Sequence, residues 1–189
     1  MMSLIQAVGE GNLRLTRVLL DQGEEDVSAK DGRDSTPLHL TRHEHIARLL
    51  LDNGADVNAR DAFNGIPLHT TALRANSFEA AELLLSRGAD VEASNDEEDT
   101  PLHVACSEGH LELIRLLLDH GARLEARNDY DCTPLHNACY RGNVEAVREL
   151  LDRGASVDVF NDDGSSPLHI AASKGNDVEA VRLLLDRGA

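Results

Sequence analysis

The sequence predicts an all-α repeat fold in which short helix-turn-helix units stack side by side. A four-residue motif (Thr, Ser or Ile, then Pro-Leu-His) recurs five times, and its prolines are separated by 30, 34, 33 and 33 residues. A leucine-rich stretch ending at glycine follows each copy. Aromatic residues make up only 3% of the 189 residues, whereas apolar residues reach 41%. A period of this length with a small aliphatic core indicates a stack of thin repeating elements.

The recurring motif is predicted to begin the first helix of each unit. Thr or Ser ahead of Pro can cap a helix with its hydroxyl, and Pro at the first helical position has no amide to leave unpaired. We name this tetrapeptide the Pro-Leu-His motif. Its copies are Thr36–His39, Ile66–His69, Thr100–His103, Thr133–His136 and Ser166–His169.

A glycine and a second helix are predicted to complete each unit. In the fourth unit Gly109 breaks the first helix, and the spacing of Leu111, Leu113, Ile114 and Leu117 predicts an amphipathic second helix. Gly11, Gly142 and Gly175 stand at corresponding places. Polar stretches rich in turn-forming residues, such as 161–165, connect one unit to the next; we call these loops fingers.

Six units are expected within one domain over residues 1–189. The first begins directly at a helix, for which Ser3 is the candidate cap. The approximate bounds of the units are 1–30, 31–60, 61–94, 95–127, 128–160 and 161–189.

This organisation resembles the ankyrin repeat, a 33-residue unit with the signature T-P-L-H-x-A. The resemblance covers essentially the whole chain. It implies antiparallel helix pairs with β-hairpin-like fingers at right angles to them, stacked into a curved solenoid with a concave recognition face. It also implies that the motif histidine bonds near the Thr cap and braces neighbouring fingers, and that the protein binds a partner rather than catalysing a reaction.

Three units depart from the pattern. The second is three residues shorter between its helices, so its first helix should be clipped, and Glu44 takes the place that Leu111 has in the fourth. In the third unit Ile66 replaces the capping Thr, which costs about 1 kcal/mol. The third and sixth units each carry one extra residue, around 76–77 and 176–177.

Charge and composition exclude several classes of function. With 34 acidic and 18 basic residues the net charge is −16, which is unfavourable for binding nucleic acid. No apolar run approaches the roughly 20 residues of a membrane-spanning helix, and the amino terminus lacks the features of a secretory signal. The three cysteines do not suggest a disulfide framework. We therefore expect a cytoplasmic protein, with the nucleus as the alternative, and no insertion into membranes.

No catalytic, metal or cofactor site is predicted. Five of the nine histidines belong to the Pro-Leu-His motif, and a metal site built from His39, His43 and His45 is the weaker alternative. No phosphate-binding glycine pattern occurs. Cys106 and Cys139 occupy small core positions, which leaves Cys132 as the cysteine expected to be exposed.

Asn58 has two interpretations. Its spacing from Leu50 resembles the site at which ankyrin repeats are hydroxylated by an asparagine hydroxylase, and the simpler interpretation is that it closes its own finger.

The aromatic residues suggest a binding surface. Alignment on the motif proline predicts that positions four, five and seven before it, and six and seven after it, face the concave side. Four of the five aromatic residues fall at such positions, and only Phe78 matches a core position. Aromatic side chains are favoured anchors of protein interfaces, although they could also cover the stems of the fingers.

Acidic residues repeat on the last three fingers and strengthen this interpretation. Carboxylates beside aromatic rings suit a basic segment, because Arg can stack on a ring and pair with a carboxylate; solvation of the fingers is the alternative. The amino-terminal fingers carry Lys30, Arg33 and Arg60 and are less acidic. The predicted partner-binding residues are Phe63, Glu97, Glu98, Asp129, Tyr130, Tyr140, Arg141, Phe160, Asp162 and Asp163.

The sequence thus predicts a non-catalytic scaffold that binds a protein or peptide partner with a basic segment. Val178, Leu184 and Leu185 give the sixth unit the apolar set of an internal repeat, whereas terminal repeats usually present a polar outer face. The alternative is therefore the substrate-recruiting module of a larger adaptor, ligase or kinase that continues beyond Ala189. Self-association through this last repeat is a further expectation.

Overall fold

Twelve α-helices make up the regular secondary structure of the described residues. The structure is a computed structural model that describes residues 2–23, 25–173 and 178–189, and no strand occurs among them. The helices are α1 (Leu4–Gly9), α2 (Leu13–Gln22), α3 (Pro37–Leu40), α4 (Glu44–Asp52), α5 (Pro67–Ala72), α6 (Phe78–Ser86), α7 (Pro101–Glu108), α8 (Leu111–Asp119), α9 (Pro134–Arg141), α10 (Val144–Asp152), α11 (Pro167–Ser173) and α12 (Val178–Asp186). None of the helices in these ranges is long and apolar enough to cross a membrane.

The six repeats fall into two halves with three helix pairs each, Met1–Asp96 (from here on the first unit) and Glu97–Ala189 (the second unit). In the first unit α1, α3 and α5 pack in one layer, while α2, α4 and α6 pack in a second. The second unit repeats this arrangement, with α7, α9 and α11 in one layer and α8, α10 and α12 in the other. The predicted all-α repeat architecture is therefore confirmed.

Aliphatic side chains form the core of each unit. Leu38, Leu50 and Leu68 are buried in the first unit, and Leu102, Leu117, Leu135 and Leu150 in the second. These are the leucines of the Pro-Leu-His motif and of the second helices, so burial follows the sequence period. Fully burying each such side chain contributes roughly 1.5–3 kcal/mol.

Each Pro-Leu-His motif begins a helix, as predicted. Thr100 and His103 illustrate the arrangement: the Thr100 amide donates to His103 Nδ1 at 3.2 Å, and the Thr hydroxyl lies 2.9 Å from the same nitrogen. At Ile66 the contact between a hydroxyl and the histidine is missing, because isoleucine has no hydroxyl. The Ile66 amide still donates to His69 Nδ1 across 3.2 Å.

The motif histidines also join consecutive repeats. His39 Nε2 lies 3.2 Å from the carbonyl of Gly65, and His136 Nε2 lies 3.2 Å from the carbonyl of Ser165. His103 Nε2 makes the same contact, at 3.0 Å, with the Cys132 carbonyl. The bracing role that the resemblance implies is therefore present in both units.

Gly109 shows why glycine is needed between the helices of a pair. It ends α7 with a φ of 74°, in the left-handed region that L-residues with a side chain avoid. A Cβ there would lie 2.9 Å from Cγ of Asn143. The Asn143 amide in turn donates to the carbonyls of Cys106 and Ser107, each at 2.8 Å. The turn of one repeat therefore packs tightly on the next.

The short second repeat has a clipped first helix. Helix α3 has four residues where α7 has eight, and Glu44 begins α4 at the place that Leu111 has in α8. Both expectations are confirmed. Glu44 accepts a hydrogen bond from Arg48 Nε at 3.1 Å instead of packing as a leucine.

We expect the amides of 37–46 to exchange hydrogen faster than those of 101–114. Fewer intrahelical hydrogen bonds and less apolar burial lower the local free energy of opening. Hydrogen exchange followed by mass spectrometry would measure the difference on the intact chain. Equal protection of the two segments would contradict this prediction.

Three further expectations concern the extra residues of the third and sixth repeats and the burial of Phe78. The extra residue of the third repeat forms a turn in which Asn76 has a φ of 60° and the Ser77 hydroxyl donates to the Thr71 carbonyl at 2.6 Å. The corresponding feature around 176–177, like Gly175, lies outside the described residues. Phe78, expected in the core, is 37% exposed. It is the first residue of α6, at an end of the helix pair where neighbouring side chains cover it only in part.

Candidate functional site

An Asp or Asn six residues before the motif proline stabilises each finger through its side-chain oxygen. In the second unit Asn128 Oδ1 accepts from the amides of Tyr130 and Cys132, at 3.1 and 3.0 Å. Asp61 Oδ1 does the same in the first unit for Phe63 and Gly65, at 3.0 and 2.9 Å. A short side chain that satisfies two backbone donors holds the loop in one conformation.

One fingertip position adopts a left-handed backbone in every finger. It lies three residues before the motif proline, and its φ values are 56° at Asp34, 60° at Asn64, 55° at Glu98, 55° at Asp131 and 70° at Gly164. Asn, Asp and Gly tolerate this conformation, whereas a longer side chain such as Glu is strained in it.

We expect Glu98→Gly to raise the free energy of unfolding by about 1 kcal/mol, because glycine removes the steric cost of the left-handed conformation. Urea denaturation followed by far-ultraviolet circular dichroism would measure the change. Glu98→Ala is the matched control, since it removes the carboxylate but keeps Cβ. An equal gain in the control would assign the effect to charge and refute the conformational explanation.

Neighbouring fingers of the second unit are joined through their backbones. The amide of Asp129 donates to the carbonyl of Glu97 at 3.0 Å, and the amide of Asp162 donates to that of Tyr130 at 3.1 Å. These bonds use main-chain atoms only. The side chains of Glu97, Tyr130 and Asp163, each four residues before a motif proline, border one groove.

The opposite side of this groove is formed by the first helices. Helix α9 contributes Asn137 from its middle and Tyr140 and Arg141 from its carboxyl end, and α7 and α11 contribute Ser107 and Ser173. Tyr140 and Ser107 lie six residues after their motif prolines, and Arg141 lies seven after, at positions that the alignment predicts to face the concave side.

The resulting groove has a volume of about 520 Å³ and belongs entirely to the second unit. Tyr130 is 60% exposed and Tyr140 is 56% exposed, and both border this groove. Three lining residues carry carboxylates, Glu97, Asp99 and Asp163, and one carries a guanidinium, Arg141. The groove is therefore aromatic and predominantly acidic.

Five of the ten predicted binding residues border this groove. They are Glu97, Tyr130, Tyr140, Arg141 and Asp163. Four others are exposed but lie outside its lining: Glu98, Asp129, Phe160 and Asp162. Phe160 stands at the stem of its finger, where its carbonyl accepts from Arg127 Nη1 at 3.0 Å.

The tenth predicted residue, Phe63, belongs to the first unit. It is 60% exposed and borders a separate groove of about 660 Å³ with Leu73 and Arg74. The lining there also includes Arg33, so a cation stands at the position that Glu97 and Asp163 have in the second unit. The two grooves are thus similar in position within their units but differ in charge.

Sequence reasoning missed Asp99, a half-buried carboxylate in the lining of the second-unit groove. Its Oδ1 accepts from the Asn128 side-chain Nδ2 at 2.8 Å, so it links two fingers. Asn137 and Ile170 were missed as well, although both lie three residues after a motif proline and that shared spacing could have identified them.

Histidine and cysteine side chains are held in structural positions. His39 lies in the brace already described, and burial lowers its pKa. Within 2–23, 25–173 and 178–189 no three His, Cys, Asp or Glu side chains converge as metal ligands. Cys106 and Cys139 are buried, as predicted, and burial raises the pKa of the Cys106 thiol.

Cys132 is half-buried rather than exposed. Its Sγ accepts from the Asn161 side-chain Nδ2 at 3.6 Å, and burial raises the pKa of its thiol. It is the most accessible of the three cysteines, as predicted, and the neighbouring finger covers one side of the residue.

Asn58 contributes to the joint between two fingers of the first unit. Its amide nitrogen donates to the carbonyl of Gly88 at 3.1 Å, and its side-chain oxygen accepts from the Asp90 amide at 2.9 Å. Its own backbone amide donates to Asp56 at 2.9 Å. It therefore closes its own loop and also bonds to the next repeat.

Comparison with known proteins agrees with this architecture. A family model described as ankyrin repeats (3 copies) matches residues 43–128 and 124–189. No curated protein matches the sequence. The matched stretches run together from 43 to 189, well over half of the chain, and contain four of the five Pro-Leu-His motifs. The chain belongs to the ankyrin repeat family.

Proposed function

We propose that the protein is a non-catalytic scaffold that binds a basic segment of a partner protein in the groove of its second unit. Ankyrin repeats are generally protein–protein interaction modules. The fold alone does not select the partner, because recognition depends on the surface residues that a scaffold carries. The observation that supports a basic partner is the pairing of Tyr130 and Tyr140, both more than half exposed, with three carboxylates.

The chemistry of this lining favours arginine. A guanidinium can lie on the face of a tyrosine ring and at the same time pair with a carboxylate, and these interactions strengthen as water is excluded. Glu97 and Asp163 lie on either side of Tyr130 in the order of the fingers. Arg141 is on the helix side, where it can donate to main-chain carbonyls of a bound segment instead of opposing its cations.

The double variant Tyr130→Ala with Tyr140→Ala is expected to weaken binding at least tenfold. Removing two exposed aromatic anchors costs about 1 kcal/mol or more each at an interface. Peptides would first be selected on the wild-type protein from a displayed random library, where we expect enrichment in Arg and Lys. Their dissociation constants would then be measured by fluorescence polarisation.

Phe160→Ala is the matched control, because Phe160 is an equally exposed aromatic residue of the same unit outside the groove. Its removal should leave the dissociation constants unchanged. Added salt should slow association, as expected for electrostatic steering. Full affinity in the double variant, or selected peptides without basic residues, would refute the proposed site.

A further inference from the structure

The three side chains that the fingers present to the second-unit groove form a row with a regular spacing. Glu97, Tyr130 and Asp163 occupy the same position in three consecutive repeats. Single backbone hydrogen bonds join the fingers that carry them. Successive fingers follow the packed helix pairs, whose axes lie about 8–10 Å apart. From this helix spacing we expect Tyr130 to have a carboxylate-bearing finger position about 10 Å away on each side.

A bound chain must place side chains on one face at this spacing if it is to use all three fingers. A polyproline II helix rises about 3.1 Å per residue with three residues per turn, so every third side chain faces the same way at intervals of about 9.3 Å. An extended β-strand places residues i and i+3 on opposite faces. Of these two extended conformations, only polyproline II matches the row.

An α-helix can also place residues about 10 Å apart on one face, seven positions along the chain. Such a helix is about 10 Å or more in diameter with its side chains, so crossing three fingers needs a volume of roughly 1,600 Å³. The groove provides about 520 Å³. The groove can therefore hold side chains of a bound segment, but a whole helix would not fit inside it.

The helix side of the groove complements the backbone of such a segment. Polyproline II makes no internal hydrogen bonds, and its carbonyls therefore remain available as acceptors. Asn137 and Arg141 line the groove, and neither side chain is engaged in a hydrogen bond or ion pair within the described part of the chain. Both can donate to these carbonyls.

We propose that the groove recognises a polyproline II segment with basic residues at positions i and i+6 and a proline at i+3. The first cation pairs with the carboxylate of one outer finger, Glu97 or Asp163, and the second pairs with the other. The proline lies against Tyr130, as proline-rich segments dock on aromatic-lined grooves. This inference rests on the proposed function of the same groove and adds the conformation and spacing of its ligand.

Synthetic peptides test the spacing directly. The first has the core Arg-Pro-Pro-Pro-Pro-Pro-Arg, and two others of identical composition place the second Arg at i+5 or i+4. Fluorescence polarisation with the full chain should show affinity about tenfold higher for the i+6 peptide, which corresponds to one well-placed charge pair. Glu97→Gln and Asp163→Asn should each abolish most of this preference, whereas Glu98→Gln, an exposed carboxylate outside the groove, should preserve it.

The outcomes separate the two proposals. Equal affinity for the three peptides would overturn the polyproline II proposal and leave the basic-segment proposal standing. Tighter binding of a helical peptide with Arg at i, i+7 and i+14 would overturn it in the same way. If neither these peptides nor the library-selected basic peptides bind, the proposed function itself fails.

Discussion

Replacing His136 with alanine is expected to lower the free energy of unfolding by about 3 kcal/mol. The side chain is fully buried, and it bonds to Thr133 within its own repeat and to the Ser165 carbonyl of the next. Its loss leaves the buried Thr133 amide without a partner, at about 1–3 kcal/mol, removes the bond to the Ser165 carbonyl and creates a cavity as well. Urea denaturation followed by far-ultraviolet circular dichroism would measure the change.

His169→Ala provides the matched control. His169 belongs to the same motif and its Nδ1 lies 2.8 Å from the Ser166 hydroxyl, but the side chain is exposed. We expect a loss of less than about 1 kcal/mol there, because water can replace the imidazole at an exposed site. Equal losses in the two variants would mean that the motif acts only as a local cap and that the brace between repeats contributes little.

The protein is also expected to lose stability as the pH falls below about 6.5. Burial lowers the pKa values of His39 and His136 in the folded protein, and an unfolded histidine titrates near 6.5. The unfolded state therefore binds more protons, so folding stability is fully present above this pH and decreases below it. Each histidine contributes a slope of up to about 1.4 kcal/mol per pH unit.

The hydrogen bonds explain why protonation is unfavourable. Nδ1 of His136 faces the amide of Thr133, which can only donate, while Nε2 faces the carbonyl of Ser165, which can only accept. These partners select the neutral tautomer with the proton on Nε2. A second proton on Nδ1 would place two N–H groups against each other.

Urea denaturation between pH 5.5 and 7.5 would measure this dependence. His136→Gln is the control, because glutamine retains a donor and an acceptor but does not titrate in this range. We expect the variant to show a shallower dependence on pH. An unchanged slope would mean that His136 does not cause the acid sensitivity.

Much of the scaffold could be predicted from the sequence because the same residue types recur at the same positions in each repeat. Pro at the first helical position, the following leucine and the glycine at the turn determine each helix pair, so six copies agree with one another. The clipped helix α3 followed from counting residues alone. The structural role of the motif histidines could be separated from metal binding because a ligand set has no reason to recur every 33 residues.

The candidate site was predicted less completely. Tyr130 and Tyr140 could be placed by alignment on the motif proline, since groove positions repeat with the same period as the core. Asp99 and Cys132 could not, because their burial depends on contacts with a neighbouring finger. Phe78 was misplaced because the alignment treats the first residue of a helix like the buried positions that follow it.

The backbone hydrogen bonds between fingers have a consequence for diversification. Glu97 and Tyr130, which border the groove, take part in these joints through their backbone carbonyls, so substitution of their side chains leaves the joints intact. Binding specificity can therefore change by mutation at the fingertips while the helical stack keeps its stability. Such a separation allows duplicated copies of the gene to acquire new ligands without first acquiring a new architecture.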